Sequence, residues 1–295
     1  MKFKKILVPV DFSDFSDNAV EFALLMAERF GAEVMILHTV LLFEQDLNEQ
    51  EHLEAYENLI QQKENERIKK MKTHHKKGEK RGVIVDSVLL RGMSAANSIL
   101  DYMSGKDFDL VVMGTHGHTG IVKWFAGSTT EKVVRFSPIP VVTVHKDYTR
   151  EKIEKILVPI DFSEYSHIAI EQGKTIAKEF NAAVEFMHVV EQDAHPEFYY
   201  ISSDPILKAN PQLKNHIIES LKKYSGVSEG KAGFVVGEGK PHKEIIEYAE
   251  ENDIDMIVMP TRGMSDLEHI IMGSTTERVV RVATCPVLTV RKKST

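Results

Sequence analysis

The segment Lys5-Ile6-Leu7-Val8-Pro9-Val10-Asp11-Phe12-Ser13 recurs almost unchanged as Lys155-Ile156-Leu157-Val158-Pro159-Ile160-Asp161-Phe162-Ser163. Further on, Gly127-Ser128-Thr129-Thr130-Glu131 recurs as Gly273-Ser274-Thr275-Thr276-Glu277, and Pro140-Val141-Val142-Thr143-Val144 as Pro286-Val287-Leu288-Thr289-Val290. The spacing is 150 residues at the first match (5 to 155) and 146 at the last (140 to 286), so the second copy is four residues shorter between those points. One repeat of this length is a duplicated domain; solenoid units recur every ~20–50 residues. The boundary falls in the charged connector from Lys146 to Ile153, giving domains 1–147 and 153–295. A chain of 295 residues gives each half enough length to bury its own core.

Hydrophobic periodicity orders the first copy. A strand runs up to Val10, and an amphipathic helix follows from Asp14 to Phe30, with Ala19, Phe22, Ala23, Met26 and Ala27 on one face and Gly31 as its stop. Next come a strand from Glu33 to Val40, a long polar helical stretch from Asn48 to Lys80, and a strand from Val83 to Leu90. Ser94 to Met103 is a short helix, Asp109 to Met113 a buried strand, and Val141 to Val144 the last strand. Strands alternating with helices predict a doubly wound parallel sheet with right-handed crossovers. In such sheets ligands bind beyond the carboxyl ends of the strands, at the switch point.

Two features converge there. Asp11 ends the first strand. The buried strand ending at Met113 runs into Gly114-Thr115-His116-Gly117, and nine residues later Gly127-Ser128-Thr129-Thr130-Glu131 opens a helix, with Ser128 and Glu131 spaced as an S-x-x-E capping box. Strand, glycine loop and helix N-terminus form a place to hold phosphate. Glycine lets the backbone approach the oxygens, N–H groups point outward, and the helix dipole favours negative charge. There is no G-K-[ST] after the glycines, so this is not a Walker A loop.

The G-x2-G-x9-G-[ST] pattern, together with the V-P-[VI]-D-F-S strand end, resembles the universal stress protein family, and the likeness covers the whole chain as two tandem domains. The resemblance implies that each domain is a five-stranded parallel sheet flanked by helices, Rossmann-like and similar to the adenine-nucleotide alpha-hydrolase fold. It further implies ATP in the first domain: Asp11 near the ribose, Val10 and Val40 lining the adenine, and Gly114, Gly117, Gly127, Ser128 and Thr129 at the phosphates. Met113 and Thr130 complete the candidate set, and Mg2+ would accompany ATP, held mainly by its phosphates and water.

The second copy retains Ile160, Asp161, Gly263, Gly273, Ser274 and Thr275 but replaces Gly114 with Pro260 and places Arg262 in the loop. Proline removes an N–H and fixes φ. A decayed site kept for folding is the favoured reading here. The alternative is a crevice altered for another ligand, supported by the aromatic, proline-bearing stretch Asp193–Tyr200.

Other signals are read as structural. A net charge of −7 argues against broad nucleic-acid binding, and no apolar run approaches the ~18 residues of a membrane span. The single cysteine, Cys285, rules out an intramolecular disulfide and fits a cytoplasmic protein, as does an N-terminus that enters a strand without a signal peptide. His52, His74 and His75 lie in the polar helical stretch and are expected on a solvated face. The acid-to-base gradient along that stretch, from Glu49 to Arg81, is what a helix dipole prefers. His116-Gly117-His118 is read as a chance likeness to nucleotidyltransferase signatures, and Trp124 and Phe125 as loop packing. No triad of catalytic residues stands out, so at most a slow ATPase is expected. By resemblance, the last strands Val141–Val144 and Val287–Val290 pair the two domains with each other, and a homodimer of the chain is a further candidate assembly.

Overall fold

The protein is described by a computed structural model covering residues 3–42, 50–115, 127–145, 148, 150–191, 206–227, 230, 232–263 and 272–291. The chain divides into two compact units, Lys2–Glu151 and Lys152–Thr295. The first contains β1 (Lys5–Pro9), α1 (Asp14–Phe30), β2 (Glu33–Leu41), α2 (Gln50–Arg81), β3 (Val85–Gly92), α3 (Ala95–Met103), β4 (Leu110–Gly114), α4 (Ser128–Phe136) and β5 (Val141–Val144). Its strands lie in the order β3-β2-β1-β4-β5, every pair parallel. The order reverses between β1 and β4, which is the switch point.

The second unit repeats the plan with β6 (Lys155–Pro159), α5 (Ser166–Phe180), β7 (Ala183–Glu191), the short α6 (Ile206–Ala209), α7 (Pro211–Ser225), β8 (Gly233–Gly239), α8 (Pro241–Glu251), β9 (Met256–Pro260), α9 (Ser274–Val282) and β10 (Val287–Val290). Its strand order is β10-β9-β6-β7-β8, again parallel throughout. Each domain is therefore the doubly wound parallel sheet the alternation predicted, with the five strands the resemblance implied.

Local chemistry sets the ends of these elements. The Ser13 hydroxyl caps α1 by accepting from the Ser16 N–H, and Gly31 closes the helix at φ +64°, in the left-handed region that glycine enters at little cost. Helix α1 packs on β1 and β4, and its Ala23 and Met26, like Ile6, Leu7 and Val111 of those strands, have no exposed surface. At the start of β1 the Asp109 carboxylate accepts from the backbone N–H groups of Lys4 (2.8 Å) and Lys5 (3.2 Å). Asp255 does the same for Glu154 and Lys155 at the start of β6, at 2.7 and 2.9 Å. One carboxylate thus fixes the alignment of the two central strands in each copy.

Helix α2 corrects one expectation. His74 is only 3% exposed, not on a solvated face. The reason lies at Phe12, a non-glycine residue at φ +64°. Its ring stacks parallel to His74 at 6.2 Å, and Arg67 and Lys70 lie over the same ring at 5.4 and 5.6 Å. Lys77 and Arg81 reach Glu21 of α1 at 2.8 and 3.2 Å. Part of the basic end of α2 therefore docks the helix onto α1 and the end of β1. The His52 side chain lies outside the described residues.

Burial, the largest cause, holds the His74 imidazole below its ordinary range. Asp17, 3.7 Å away, and Glu21 pull it up, while Lys77 and His75 push it down. A base whose folded pKa is depressed binds its proton more readily when unfolded. Stability is then full above the ordinary value of 6.5 and is lost as pH falls from there toward the folded-state value. Replacing His74 by phenylalanine should flatten the fall in thermal midpoint between about pH 7 and about pH 5. Melting curves of both proteins check this, and equal slopes would remove His74 as the cause.

Candidate functional site

In both domains the crevice opens at the carboxyl ends of the two central strands. In the first, Val10 is 5% exposed and donates its N–H to the Leu37 carbonyl, and Val40 is equally buried at the end of β2. Asp11 follows, its Oδ1 accepting from the Ser13 N–H at 3.0 Å and the Ser13 hydroxyl at 2.5 Å. Phe12 and its counterpart Phe162 both stand in the left-handed region, at φ +64° and +62°. Backbone strain kept in both copies marks the turn as one the surrounding fold enforces.

The sequence reading missed a pair of histidines here. His38 Nδ1 donates to the Val10 carbonyl at 2.7 Å, and His188 Nδ1 to the Ile160 carbonyl at 2.8 Å. Each ring packs on the phenylalanine of its own copy at 4.8 Å. A carbonyl only accepts, so Nδ1 carries a proton in both rings. The repeat frame, in which 38 corresponds to 188, was the available signal.

The strand end bearing Met113 and Gly114 is tied to α4 by a short chain of bonds. Thr115 N–H donates to Val144 O at 3.0 Å, Gly127 N–H to Thr115 O at 2.8 Å, and the buried Thr130 hydroxyl to Gly114 O at 2.8 Å. The expected capping box does not form. Gly127 is the N-cap and no side chain caps the helix, so Ser128 becomes the first helical residue. Glu131 instead pairs with Arg135, one turn on, at 3.0 Å. The first turn, with Ser128 exposed and Thr129 half-buried, keeps the donor groups that attract anions to a helix N-terminus. Gly117 lies outside the described residues, as do His116, His118, Trp124, Phe125 and the stretch Asp193–Tyr200.

The second domain encloses a cavity of about 470 Å³ at the same place, lined by Ile160, Asp161, Arg262, Gly263 and Gly273, with Ser274 and Thr275 of α9. Here Asp161 Oδ1 accepts three bonds: the Ser163 N–H at 3.0 Å and the hydroxyls of Ser163 (2.6 Å) and Ser166 (2.7 Å). Helix α9 likewise has a glycine N-cap, Gly273, and no side-chain cap. The Thr276 hydroxyl donates to Pro260 O at 2.8 Å, matching Thr130.

The structure separates glycines that the sequence grouped together. A β-carbon on Gly114 would stand 2.8 Å from the backbone of Phe15, so this glycine lets the first turn of α1 close over β4. Pro260 cannot allow that approach. Its helix, α5, starts at Ser166, two residues later in the repeat frame, where Asp14 corresponds to Glu164. A β-carbon on Gly263 would meet Asp161 Oδ2 at 2.5 Å, whereas one on Gly273, at φ −70°, would find nothing nearer than 3.7 Å. Gly114→Ala should therefore lower the unfolding free energy by about 1–3 kcal/mol through overpacking. Gly273→Ala should cost under about 1 kcal/mol, the difference between the two residues as helix caps. Denaturant unfolding of both variants tests this ranking, and equal losses would contradict it.

The fold defines a protein of two tandem doubly wound α/β domains, and comparison with known proteins places it. The sequence profile of the universal stress protein family matches residues 2–145 and again 152–291. The chain belongs to that family. It is similar to a universal stress protein of Methanocaldococcus jannaschii, 39% identical over 142 residues, covering 47% of this chain and 82% of the relative. A tandem-length universal stress protein of Synechocystis is 24% identical over 310 residues, covering 98% of this chain and 100% of the relative. Among solved structures, a universal stress protein from Archaeoglobus fulgidus is 22% identical and shares the fold across the full length of both chains, with a TM-score of 0.71.

Proposed function

We propose that this universal stress protein binds ATP in its first domain and acts as a nucleotide-responsive stress or regulatory factor. The observation that carries this reading is the α4 N-terminus. It lacks a side-chain cap, is held against the end of β4 by Thr130, and opens at the switch point where Asp11 ends the neighbouring strand. Those features match what a nucleotide requires: donors and a favourable dipole for the phosphates, a carboxylate for ribose hydroxyls, and the buried walls Val10 and Val40 for a base. Met113 and Gly114 supply the strand end, Ser128 and Thr129 the first-turn donors, and Gly117 belongs to the same loop. Mg2+ would arrive with the phosphates and be held largely by them. Binding orders the loop and changes a surface that partners read. A cytoplasmic setting is part of this reading, supported by a single, buried cysteine and by the absence, among the described residues, of a helix able to cross a membrane.

Calorimetric titration of magnesium-ATP into nucleotide-stripped protein tests this, with fluorescence of the single tryptophan, Trp124, as a second readout. Saturable binding is expected. Asp11→Asn should weaken it by about 10- to 100-fold, the worth of hydrogen bonds to a charged acceptor, and Gly127→Val should abolish it. A flat calorimetric titration of the wild type refutes the proposal. ADP formation above a protein-free blank, lost in Asp11→Asn, would replace the binder with a slow ATPase.

A further inference from the structure

The two crevices share a frame but differ in charge. In the repeat frame the first copy has His116 and His145 where the second has Arg262 and Arg291. Both differences put a permanent cation where the first copy has an imidazole. The two arginines sense each other: burial first, and then the charge of Arg262, pull the Arg291 guanidinium below the usual arginine range. An anion placed before Arg262 offsets the repulsion between the two cations. Arg262 lines the cavity beside Ser274 and Thr275, in the first turn of α9. A third change adds to the field. Ser94, which caps α3 by accepting from the Asn97 N–H, is replaced by Lys240, and α8 begins without a side-chain cap.

The rest of the cavity is of another kind. Its walls are Ile160 of the β6 end, Val189 and Val190 of β7, Ile245 of α8, and Met259 and Pro260 of β9. Asp161, which in the first copy matches the position for ribose, is committed to the protein here. Oδ1 takes three hydrogen bonds, including one from Ser166, and Oδ2 faces the Gly263 backbone. In the first copy Ser16, the counterpart of Ser166, donates instead to the Ser13 carbonyl at 2.9 Å. The other lining carboxylate, Glu191, ends β7, two strands from Arg262 in the order β9-β6-β7. The cavity therefore has one cationic pole, an apolar floor and a fixed direction.

We propose that the second domain binds an amphipathic anion, a phosphomonoester carried on an apolar body, rather than a ribonucleotide. The head group sits on Arg262 and the first turn of α9, and the body lies along Ile160, Val189 and Val190 beneath Ile245. A volume of about 470 Å³ is within the range of small-molecule sites. This site is independent of whether the first domain holds ATP.

Decyl phosphate titrated calorimetrically into the full chain is the direct probe, with AMP as a competitor that carries the same head on a polar body. Saturable binding is expected, undisplaced by AMP. Arg262→Gln should weaken it by about 10- to 100-fold, the worth of a charge-assisted bond. Arg262→Lys keeps the charge without the fork and should fall between the two, which separates a loss of binding from a loss of folding when thermal midpoints are compared. No binding of decyl phosphate at millimolar concentration overturns the proposal, as does an affinity unaffected by Arg262→Gln. Displacement by AMP would make the crevice a second nucleotide site and overturn it equally.

Discussion

A buried threonine hydroxyl donating to the last carbonyl of a central strand holds each crevice together. Thr130 reaches Gly114 and Thr276 reaches Pro260, both at 2.8 Å. A strand that ends inside a protein leaves a carbonyl that must find a donor, and leaving it unmet costs about 1–3 kcal/mol. Meeting that need from the first turn of the following helix also fixes where the helix begins. The helix N-terminus is thereby pinned at the strand end, its dipole directed into the crevice, whatever occupies the loop between. The bond survives the replacement of Gly114 by Pro260 because it uses a carbonyl, which every residue has.

That tie explains how the two copies keep one architecture while their chemistry differs. Glycine at 114 admits Phe15 against β4, and α1 starts early, capped by Ser13. Proline at 260 pushes the start of α5 back to Ser166, and the freed hydroxyl turns onto Asp161. A single side chain thus moves a helix start, and the helix start changes how the acidic residue is engaged. Arg262 then lines the second crevice with a permanent cation, where the first copy's sequence has His116.

Much of this was legible in the sequence because it depends on short-range patterns. The helix from Asp14 to Phe30 with Gly31 as its stop, and the strand Val141–Val144, were readable from periodicity and one glycine. The capping box at Ser128 was not, because S-x-x-E also fits an ordinary acidic first turn. The choice of Gly127 as cap goes with its bond to Thr115, a contact across the loop. The burial of His74 was hidden for a similar reason. Helix α2 is polar on most of its surface, and the histidine is enclosed by Phe12, a residue far away in sequence whose left-handed backbone no propensity suggests. Gly114 and Gly273 looked alike as letters. Only their neighbours show that one is pressed against a helix backbone while the other would meet its neighbours at ordinary contact distance.

The Asp109 clamp on Lys4 and Lys5 joins residues about a hundred positions apart, 105 and 104 respectively. Within its domain β1 precedes the other strands in the chain, and it sits at the centre of the sheet, with β2 on one side and β4 on the other. It waits, apolar and half paired, until β4 has been synthesised, and such long-range closure slows folding and prolongs exposure to aggregation. Duplication limits that wait. Because Lys2–Glu151 forms a compact unit of its own, its sheet can close while the second copy is still being translated, and each delay is that of a single domain rather than of the whole chain.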